Sequence, residues 1–389
     1  MNFVRPSETL DRYASVAALI AASDGERPVQ CLRPQGLKAA ANAFLSGFPG
    51  ETMFAVKCNA HPAVLKTLAE AGISSWDVAS ETEIAAAHAV SPDGTLYFHH
   101  PVKTPQSIRN AYERWGVRHF VVDCLNELSK VLENTGADAF ITVRLSVPQD
   151  YAVYDLSTKF GATVPQATAV LAAAHGAGRK VGVSFHVGSQ CLAPDSYSKG
   201  MRMALDAGNA ARVHLSYINV GGGFPGYYAT TSCVPLETYF EHIAEARRTL
   251  GIADDTTLMC EPGRALVYNA GSLLTRVLLV KDEAVYLNDG IFGGFAEVYW
   301  GGAALTLRYT LHGREDAAQE ETRPYLIYGP TCDGNDKLPY RIELPISIKE
   351  GDWIEFHQLG AYGREMSTTY NGLGANRLVA IDEDPPVFG

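Results

Sequence analysis

Residues 95–123, TLYFHHPVKTPQSIRNAYERWGVRHFVVD, hold one complete strand–helix–strand step. Thr95–Phe98 is an apolar run of strand length, Pro105–Trp115 is a helical segment, and His119–Val122 is a second short apolar run. The same step recurs on both sides. Further strands are predicted at Thr52–Val56, Trp76–Val78, Ala139–Leu145, Lys180–Val187, Val213–Val220 and Thr257–Cys260. Helical segments lie between them at His61–Ala71, Glu81–Ala89, Leu125–Asn134, Val164–Ala174, Pro194–Ala207 and Leu236–Leu250. Eight strands separated by helices is the count of a (β/α)8 barrel, and the alternation favours a parallel sheet. An open doubly wound sheet competes, but it needs a ligand-binding switch point that no stretch marks out.

The texture changes after about residue 270. Leu273–Lys281, Ala284–Leu287, Ala304–Leu311, Pro324–Tyr328, Ile342–Ile346, Trp353–Phe356 and Arg377–Ile381 read as strands with Gly, Pro and Asp turns between them. No helix of three or more turns separates them. The expected class is therefore α/β: a barrel over residues 30–270, then a mostly antiparallel β domain over 271–389 that takes in part of 1–29. The tight join suggests a shared interface, where active sites often lie.

Composition bounds the function. The chain has 389 residues, with 32 Lys+Arg against 43 Asp+Glu, a formal charge of −11. That balance argues against nucleic acid as a partner, because phosphate binding needs clustered Lys and Arg. It is compatible with a cationic substrate. Seven cysteines, at 31, 58, 124, 191, 233, 260 and 332, form no CxxC, so neither a zinc knuckle nor a disulfide framework is indicated. The N-terminus lacks a signal-peptide h-region, and no apolar run approaches the ~20 residues of a membrane span. A cytoplasmic protein without a membrane partner is expected.

In a (β/α)8 barrel the chemistry sits at the C-terminal ends of the strands. Lys57 ends strand one, Asp77 lies in strand two, Arg144 ends strand five and His186 ends strand six. Gly221–Gly223 follow strand seven, and Glu261 and Arg264 follow strand eight. The lysine could simply reach solvent; its functional reading is Schiff-base chemistry, with the barrel interior lowering the amine's pKa. Three successive glycines can make a tight turn or a phosphate cradle, and Arg264 as an anion partner favours the cradle. In isolation His186 reads first as a satisfied core histidine. His99–His100 makes a poor metal site, since side chains one apart in a strand face opposite ways. With no HExxH or HxH pattern, no metal is expected. Further on, YGPTCDGNDKL at 328–338 presents Cys332 beside Asp333 in a turn-rich loop, where a thiol is exposed and reactive rather than filler. GAYGREMSTTYNG at 360–372 is a second polar, aromatic loop, whose Tyr362 and Tyr370 are either structural or pocket-lining.

The ordered motifs AVKCN, WDVASETEI, LSTKFG, SFHVGSQ, GGGFPG, EPGRALV, GPTCDGND and GAYG run from about residue 50 to 375. Together they resemble the fold-type III, alanine-racemase-like pyridoxal-phosphate decarboxylases, within which they are similar to ornithine/lysine decarboxylases. The resemblance implies a barrel that binds pyridoxal 5'-phosphate and a head-to-tail homodimer with active sites shared between subunits. It implies Lys57 as the Schiff-base lysine and Glu261 as partner of the pyridine nitrogen. His186 would stack on the ring, with Asp77 and Arg144 in support. Ser189, Gly221, Gly222, Gly223, Arg264 and Tyr362 would hold the phosphate. Cys332 and Asp333 would reach in from a partner subunit, Cys332 to protonate the substrate Cα after CO2 leaves. Lys159 and Asp336 match positions that pair across the dimer interface.

The implied substrate is a basic L-amino acid, first of all ornithine. Related diaminopimelate decarboxylases carry Cys-Glu where this chain has Cys332-Asp333, so a substrate with one carboxylate and a distal ammonium on Asp333 is expected. In DGIFGGFAEVYWGGAAL, Gly301 stands about where eukaryotic members place a second acid, and Glu297 is the nearest carboxylate. This departure leaves room for lysine, arginine or a carboxylated polyamine. A racemase is disfavoured because it wants two opposed bases. A non-catalytic regulator of the same fold is disfavoured by Lys57, Glu261 and Cys332 standing together.

Overall fold

A computed structural model describes residues 10–148, 152–154, 158–314, 320–375 and 377–386. The chain divides into two compact units. One comprises Ala40–Pro225 and Cys233–Gly263; the other takes the described residues up to Ala39, Gly226–Ser232 and the chain from Arg264 onward.

In the first unit eight parallel strands close into a barrel. They are β1 (Glu51–Ala55), β2 (Ser75–Val78), β3 (Thr95–Phe98), β4 (His119–Val122), β5 (Phe140–Leu145), β6 (Val181–Phe185), β7 (Tyr217–Asn219) and β8 (Thr257–Cys260). Seven helices follow the first seven strands: α1 (Pro62–Glu70), α2 (Glu81–Val90), α3 (Pro105–Arg114), α4 (Leu125–Glu133), α5 (Val164–Gly176), α6 (Asp195–Ala211) and α7 (Leu236–Thr249). Local chemistry sets their starts. Thr104 caps α3 by accepting from Ser107 N–H at 3.1 Å, with Pro105 in the first turn where its missing N–H costs nothing. Ser80 caps α2 by accepting from Glu83 N–H at 3.2 Å, and the Glu83 carboxylate returns to Ala79 N–H at 2.7 Å.

Strand alternation builds the barrel interior in layers. Met53, Tyr97, Tyr217 and Met259 form one buried cluster inside it. Ser75 Oγ and Tyr97 OH both donate to Glu51 Oε1, and Thr142 pairs with the Tyr217 hydroxyl. Each inward residue of this layer has a successor two places further along its strand. Those successors make the next layer, at the C-terminal mouth: Asp77 on β2, His99 just past β3, Arg144 on β5, Asn219 on β7 and Glu261 just past β8.

The second unit is a mostly antiparallel sheet around the long strand Gly271–Lys281. Val29–Leu32 and Trp353–Phe356 flank that strand antiparallel, and Ala284–Leu287 pairs with its far end across a β-bulge between Val277 and Leu279. Thr322–Tyr328 and Lys337–Pro345 form an antiparallel hairpin at one edge, and Tyr309–His312 pairs with Trp353–Phe356. Barrel and sheet are the two architectures read from the strand pattern.

Some elements differ from that reading, three of them for clear local reasons. A helix at Pro34–Gly47 precedes β1, and its Phe44 meets the rings of Phe224 and Phe240 edge-on, each at 5.2 Å. Only Tyr217–Asn219 of Val213–Val220 is strand, because Arg212 turns left-handed at φ 55° and Val213 N–H still caps α6 through Gly208 O. Of Ala304–Leu311 only Tyr309–Leu311 falls in a strand; Gly302 at φ 57° opens a short 3-10 turn, Gly302–Leu305, instead. Among the described residues no helix is long and apolar enough to cross a membrane.

Candidate active site

The mouth of the barrel gathers charge. Lys57, in the turn after β1, donates from Nζ to Asp77 Oδ2 at 3.1 Å. Asp77 is buried, whereas the Lys57 side chain keeps 43% of its surface exposed. Burial pushes the lysine amine down, but Asp77 and then Glu261 outweigh it and the net shift is upward. This corrects the expectation of a lowered amine: two carboxylates hold the ammonium that a neutral pocket would have discharged.

The two carboxylates are not alike. Burial raises Asp77, and its attraction to Lys57 is partly offset by the charge of Glu261. Burial also pushes Glu261 up, but His99, Lys57 and Arg144 overcome it and hold the carboxyl at about 2. Glu261 is thus the fixed negative charge of the pair. Its Oε1 takes two hydrogen bonds, one with His99 Nδ1 and one from Asn219 Nδ2 at 2.6 Å.

His99 and Asn219 were not anticipated. As a metal pair His99–His100 is a poor prospect, yet the same opposite-face geometry turns His99 inward while His100 packs against Phe160. The inward alternation of β3 and β7 was the signal that could have found both. Asp77, His99 and Glu261 also bring ligand atoms within 4.8 Å of one another, a spacing a cation could use. The positive charge in this nest is the Lys57 ammonium, and Glu261 Oε1 is already occupied by two partners.

His186 follows β6 and accepts from Gly188 N–H through Nδ1 at 3.0 Å. Burial, with Arg144 and Lys57 nearby, lowers it to about 3, so the ring is neutral with its proton on Nε2. That Nε2 faces Gly222, where a Cβ would lie 3.2 Å from it and 2.6 Å from Glu261 O. Gly221 and Gly223 stand at φ 74° and 94°, and a Cβ on either would strike a backbone carbonyl, Phe185 O at 2.1 Å or Gly188 O at 2.4 Å. Three glycines are therefore demanded sterically. Gly221 N–H is spent on Asn219 Oδ1 at 2.8 Å, while those of Gly222 and Gly223 donate to nothing among the described residues. Ser189 opens the short strand Ser189–Cys191 beside this turn, and the Arg144 guanidinium lies 5.8 Å from the Phe160 ring centre. Such a site suits a flat group with an anionic end for the spare amides, a basic ring nitrogen for Glu261 and a carbonyl for Lys57.

The remaining candidates belong to the second unit. Arg264 is buried; it donates to Tyr228 OH at 2.9 Å, pairs with Glu297 Oε1, and lies 5.4 Å from the Tyr362 ring centre. Glu297, expected beside a substrate ammonium, is thus held by the residue expected on the phosphate. Tyr362 itself is left-handed at φ 58°. Cys332 is exposed; its N–H donates to Asn371 Oδ1 at 3.1 Å and its Sγ sits 3.7 Å from Tyr370 OH. Asp333 Oδ1 accepts from Asn335 N–H at 2.7 Å. Cys332 and Asp333 line a cleft of about 460 Å³ with Tyr286, Tyr328 and Leu278.

Lys159 is exposed, its Nζ 4.9 Å from the Phe160 ring centre. Asp336, expected at a subunit interface, is only 1% exposed. Its carboxylate accepts from Ile291 N–H at 2.9 Å, Thr331 N–H at 3.0 Å and Thr331 Oγ1 at 2.7 Å, so within this chain it ties the Cys332 loop to the turn at 289–294.

Residues 35–268 match the pyridoxal binding domain of the pyridoxal-dependent decarboxylases. The lysine/ornithine decarboxylase of Selenomonas ruminantium is 32% identical over 345 residues, which covers 85% of this chain and 84% of that protein. The arginine decarboxylase of Paramecium bursaria Chlorella virus superposes with a TM-score of 0.84 at 27% identity, covering 94% of this chain and 99% of that one. The lysine/ornithine decarboxylase of Vibrio vulnificus, solved with putrescine, gives 0.81 at 29% identity, covering 95% and 99%.

Proposed function

The chain belongs to the pyridoxal-dependent decarboxylases and is a pyridoxal-phosphate-dependent decarboxylase of basic amino acids; from that premise we propose that its preferred substrate is L-ornithine, which it converts to putrescine. The observation that carries the assignment of residues is the nest of Lys57, Asp77, Glu261 and His186 around three sterically required glycines. When bound, the cofactor supplies a carbonyl that condenses with amines and a ring that accepts electrons from the substrate Cα.

The chain's own residues would do the rest. Lys57 would hold the cofactor, with Asp77 Oδ2, 3.1 Å from its Nζ, placed to take the proton the amine gives up. Glu261, ionised, would favour a positive charge on the ring nitrogen of the bound cofactor. Neutral His186 offers a flat uncharged face that excludes water without competing for the phosphate. Gly222 and Gly223 would offer their spare amides to the phosphate, and the resemblance assigns Ser189, Arg144, Arg264 and Tyr362 to it as well. Cys332 would give a proton from Sγ to the substrate Cα after loss of CO2, so that the product leaves as an amine, with Tyr370 OH 3.7 Å from the thiol to hold it in place. In this reading Cys332 and Asp333 act on a neighbouring subunit's site in a homodimer, with Lys159 at the dimer contact.

Asp333 would receive the distal ammonium. Glu297 pairs with Arg264, and Gly301 offers no carboxylate, so Asp333 is the acid assigned to that end of the substrate. This departure leaves room for a second reading, in which lysine, arginine or a carboxylated polyamine is taken in preference to ornithine. CO2 release from ornithine, lysine, arginine, diaminopimelate and carboxynorspermidine separates the two. Ornithine should lead; if it is not among the better substrates, the preferred specificity is wrong.

A further inference from the structure

His99 is 7% exposed as a residue, and its side chain is 3% exposed. It stands on the inward row of β3, two residues after Tyr97, whose ring it meets edge-on at 5.5 Å. Nδ1 is engaged with Glu261 Oε1, while Nε2 is buried and has no hydrogen-bond partner. Burying an imidazole with one nitrogen unsatisfied is unfavourable, and an apolar side chain would fill the same space without that penalty. What distinguishes histidine here is the bond to Glu261.

The geometry at Glu261 gives that bond a purpose. His99 and Asn219 both engage Oε1, and no hydrogen bond among the described residues engages Oε2. One oxygen is pinned from two sides and the other is left over. We infer that His99 is a positioning residue for Glu261, pinning Oε1 together with Asn219 so that Oε2 is turned toward the ring nitrogen of the bound cofactor. This inference rests on the proposed assignment of Glu261 to that nitrogen.

The other ionisable groups near this bond are Asp77 from β2, Lys57 from the turn after β1, Tyr97 from β3, His119 from β4, Arg144 from β5, His186 after β6, Tyr217 from β7 and Cys260 from β8. Lys57 and Arg144 act on Glu261 as diffuse charges. His99 differs in acting through a directed contact, which fixes orientation as well as ionisation. His119 is lowered to about 4 by burial and by His99, and its ring lies 4.3 Å from that of Tyr97, so it is a neutral neighbour.

The test uses apoprotein titrated with pyridoxal 5'-phosphate, read by the visible absorption of bound cofactor from pH 5 to 9, on wild type, His99→Leu and His99→Gln. Melting curves check folding. His99→Leu should bind the cofactor about 10-fold more weakly, the size of one charge-assisted hydrogen bond, and its absorbance–pH midpoint should move. His99→Gln, which keeps an N–H donor, should restore affinity to within about threefold of wild type and bring the midpoint back. If His99→Leu does not fold, His99→Gln decides alone: near wild type supports the inference, and the loss expected of His99→Leu overturns it. A folded His99→Leu with wild-type affinity and midpoint overturns it too, as does a His99→Gln as impaired as a folded His99→Leu. Wild-type protein that binds no cofactor would instead overturn the proposed function, and this inference with it.

Discussion

Each unit buries a glutamate held at about 2, and only one of the two reads as an active site. In the barrel it is Glu261, engaged by His99 and Asn219. In the sheet it is Glu355, which pairs with Arg33 at 2.6 Å and accepts from Ser272 Oγ at 2.5 Å, with His312 Nε2 2.9 Å from its second oxygen. Burial raises both carboxyls, and hydrogen bonds and positive neighbours pull both down. The difference lies in what is left over. Glu355 has partners on both oxygens, and its Arg33 is 3% exposed. Around Glu261 one carboxylate oxygen, two glycine amides and a 43% exposed lysine remain available. A shifted pKa marks buried charge in general, and unspent hydrogen-bonding capacity beside an accessible amine is what marks the site.

The strongest way to break this comparison is to remove the accessible amine. Lys57→Ala should abolish the visible absorption of bound cofactor and lower decarboxylation by on the order of 10⁴-fold or more, since the covalent anchor is gone. Arg33→Ala, by contrast, should leave residual folded protein with its cofactor. A coloured, active Lys57→Ala protein would sink the assignment of the site. Cys332→Ala comes next, with a fall of about 10²–10⁴-fold expected for a lost proton donor. If the thiol serves a neighbour's site, mixing inactive Lys57→Ala and Cys332→Ala subunits under exchange should restore roughly a quarter of wild-type activity, one intact site in each mixed dimer. No recovery despite exchange would place Cys332 outside a shared site.

The barrel was legible because its logic is local. Short apolar runs recurring between helical segments declare the strands, and polar residues at their ends declare the mouth, as in AVKCN and SFHVGS. Alternation carries further still: Tyr97 inward implies His99 inward, and Tyr217 implies Asn219. The sheet unit resisted for a different reason. Its charged contacts join residues far apart in the chain, Arg33 to Glu355 and Arg264 to Glu297, and no spacing rule links such positions. Glu297 therefore read as a spare acid near a substrate, whereas packing gives it to Arg264. Asp336, which the resemblance places at a dimer interface, also accepts from the amides of Ile291 and Thr331, contacts that no spacing in the sequence signals.

That pairing supplies the next test. Arg264 and Glu297 are 3% and 5% exposed at their side chains, so removing either charge leaves the other desolvated and uncompensated. Glu297→Ala should cost about 3–5 kcal/mol of unfolding free energy, measured by denaturant titration. A surface pair such as Arg12–Asp382, at 59% and 45% exposure, should cost about 1 kcal/mol or less when broken the same way. Equal costs would mean that burial does not separate the two kinds of pair, and the contrast drawn from Glu355 and Glu261 would lose its footing.

The smallest effect expected is the most specific to the comparison, because it asks the two buried glutamates to behave alike in stability and differently in chemistry. Glu355 sits at about 2 in the folded chain against an ordinary 4.5. The folded state therefore binds fewer protons than the unfolded chain between those values. Its stabilisation is complete above pH 4.5 and is lost as pH falls through about 2; by linkage it amounts to roughly 3 kcal/mol at most. Glu261, also held at about 2, has the same sign and the same acid window. Both Glu355→Gln and Glu261→Gln should thus flatten the fall in unfolding free energy between pH 4.5 and 2, measured by thermal melts across that range. Glu355→Gln also strands Arg33 and so lowers the plateau at neutral pH, but it should leave the absorbance–pH curve of bound cofactor where it was. Glu261→Gln should move that curve. If Glu355→Gln moves it as far, the sheet knot is not the closed, chemically silent counterpart of the barrel nest.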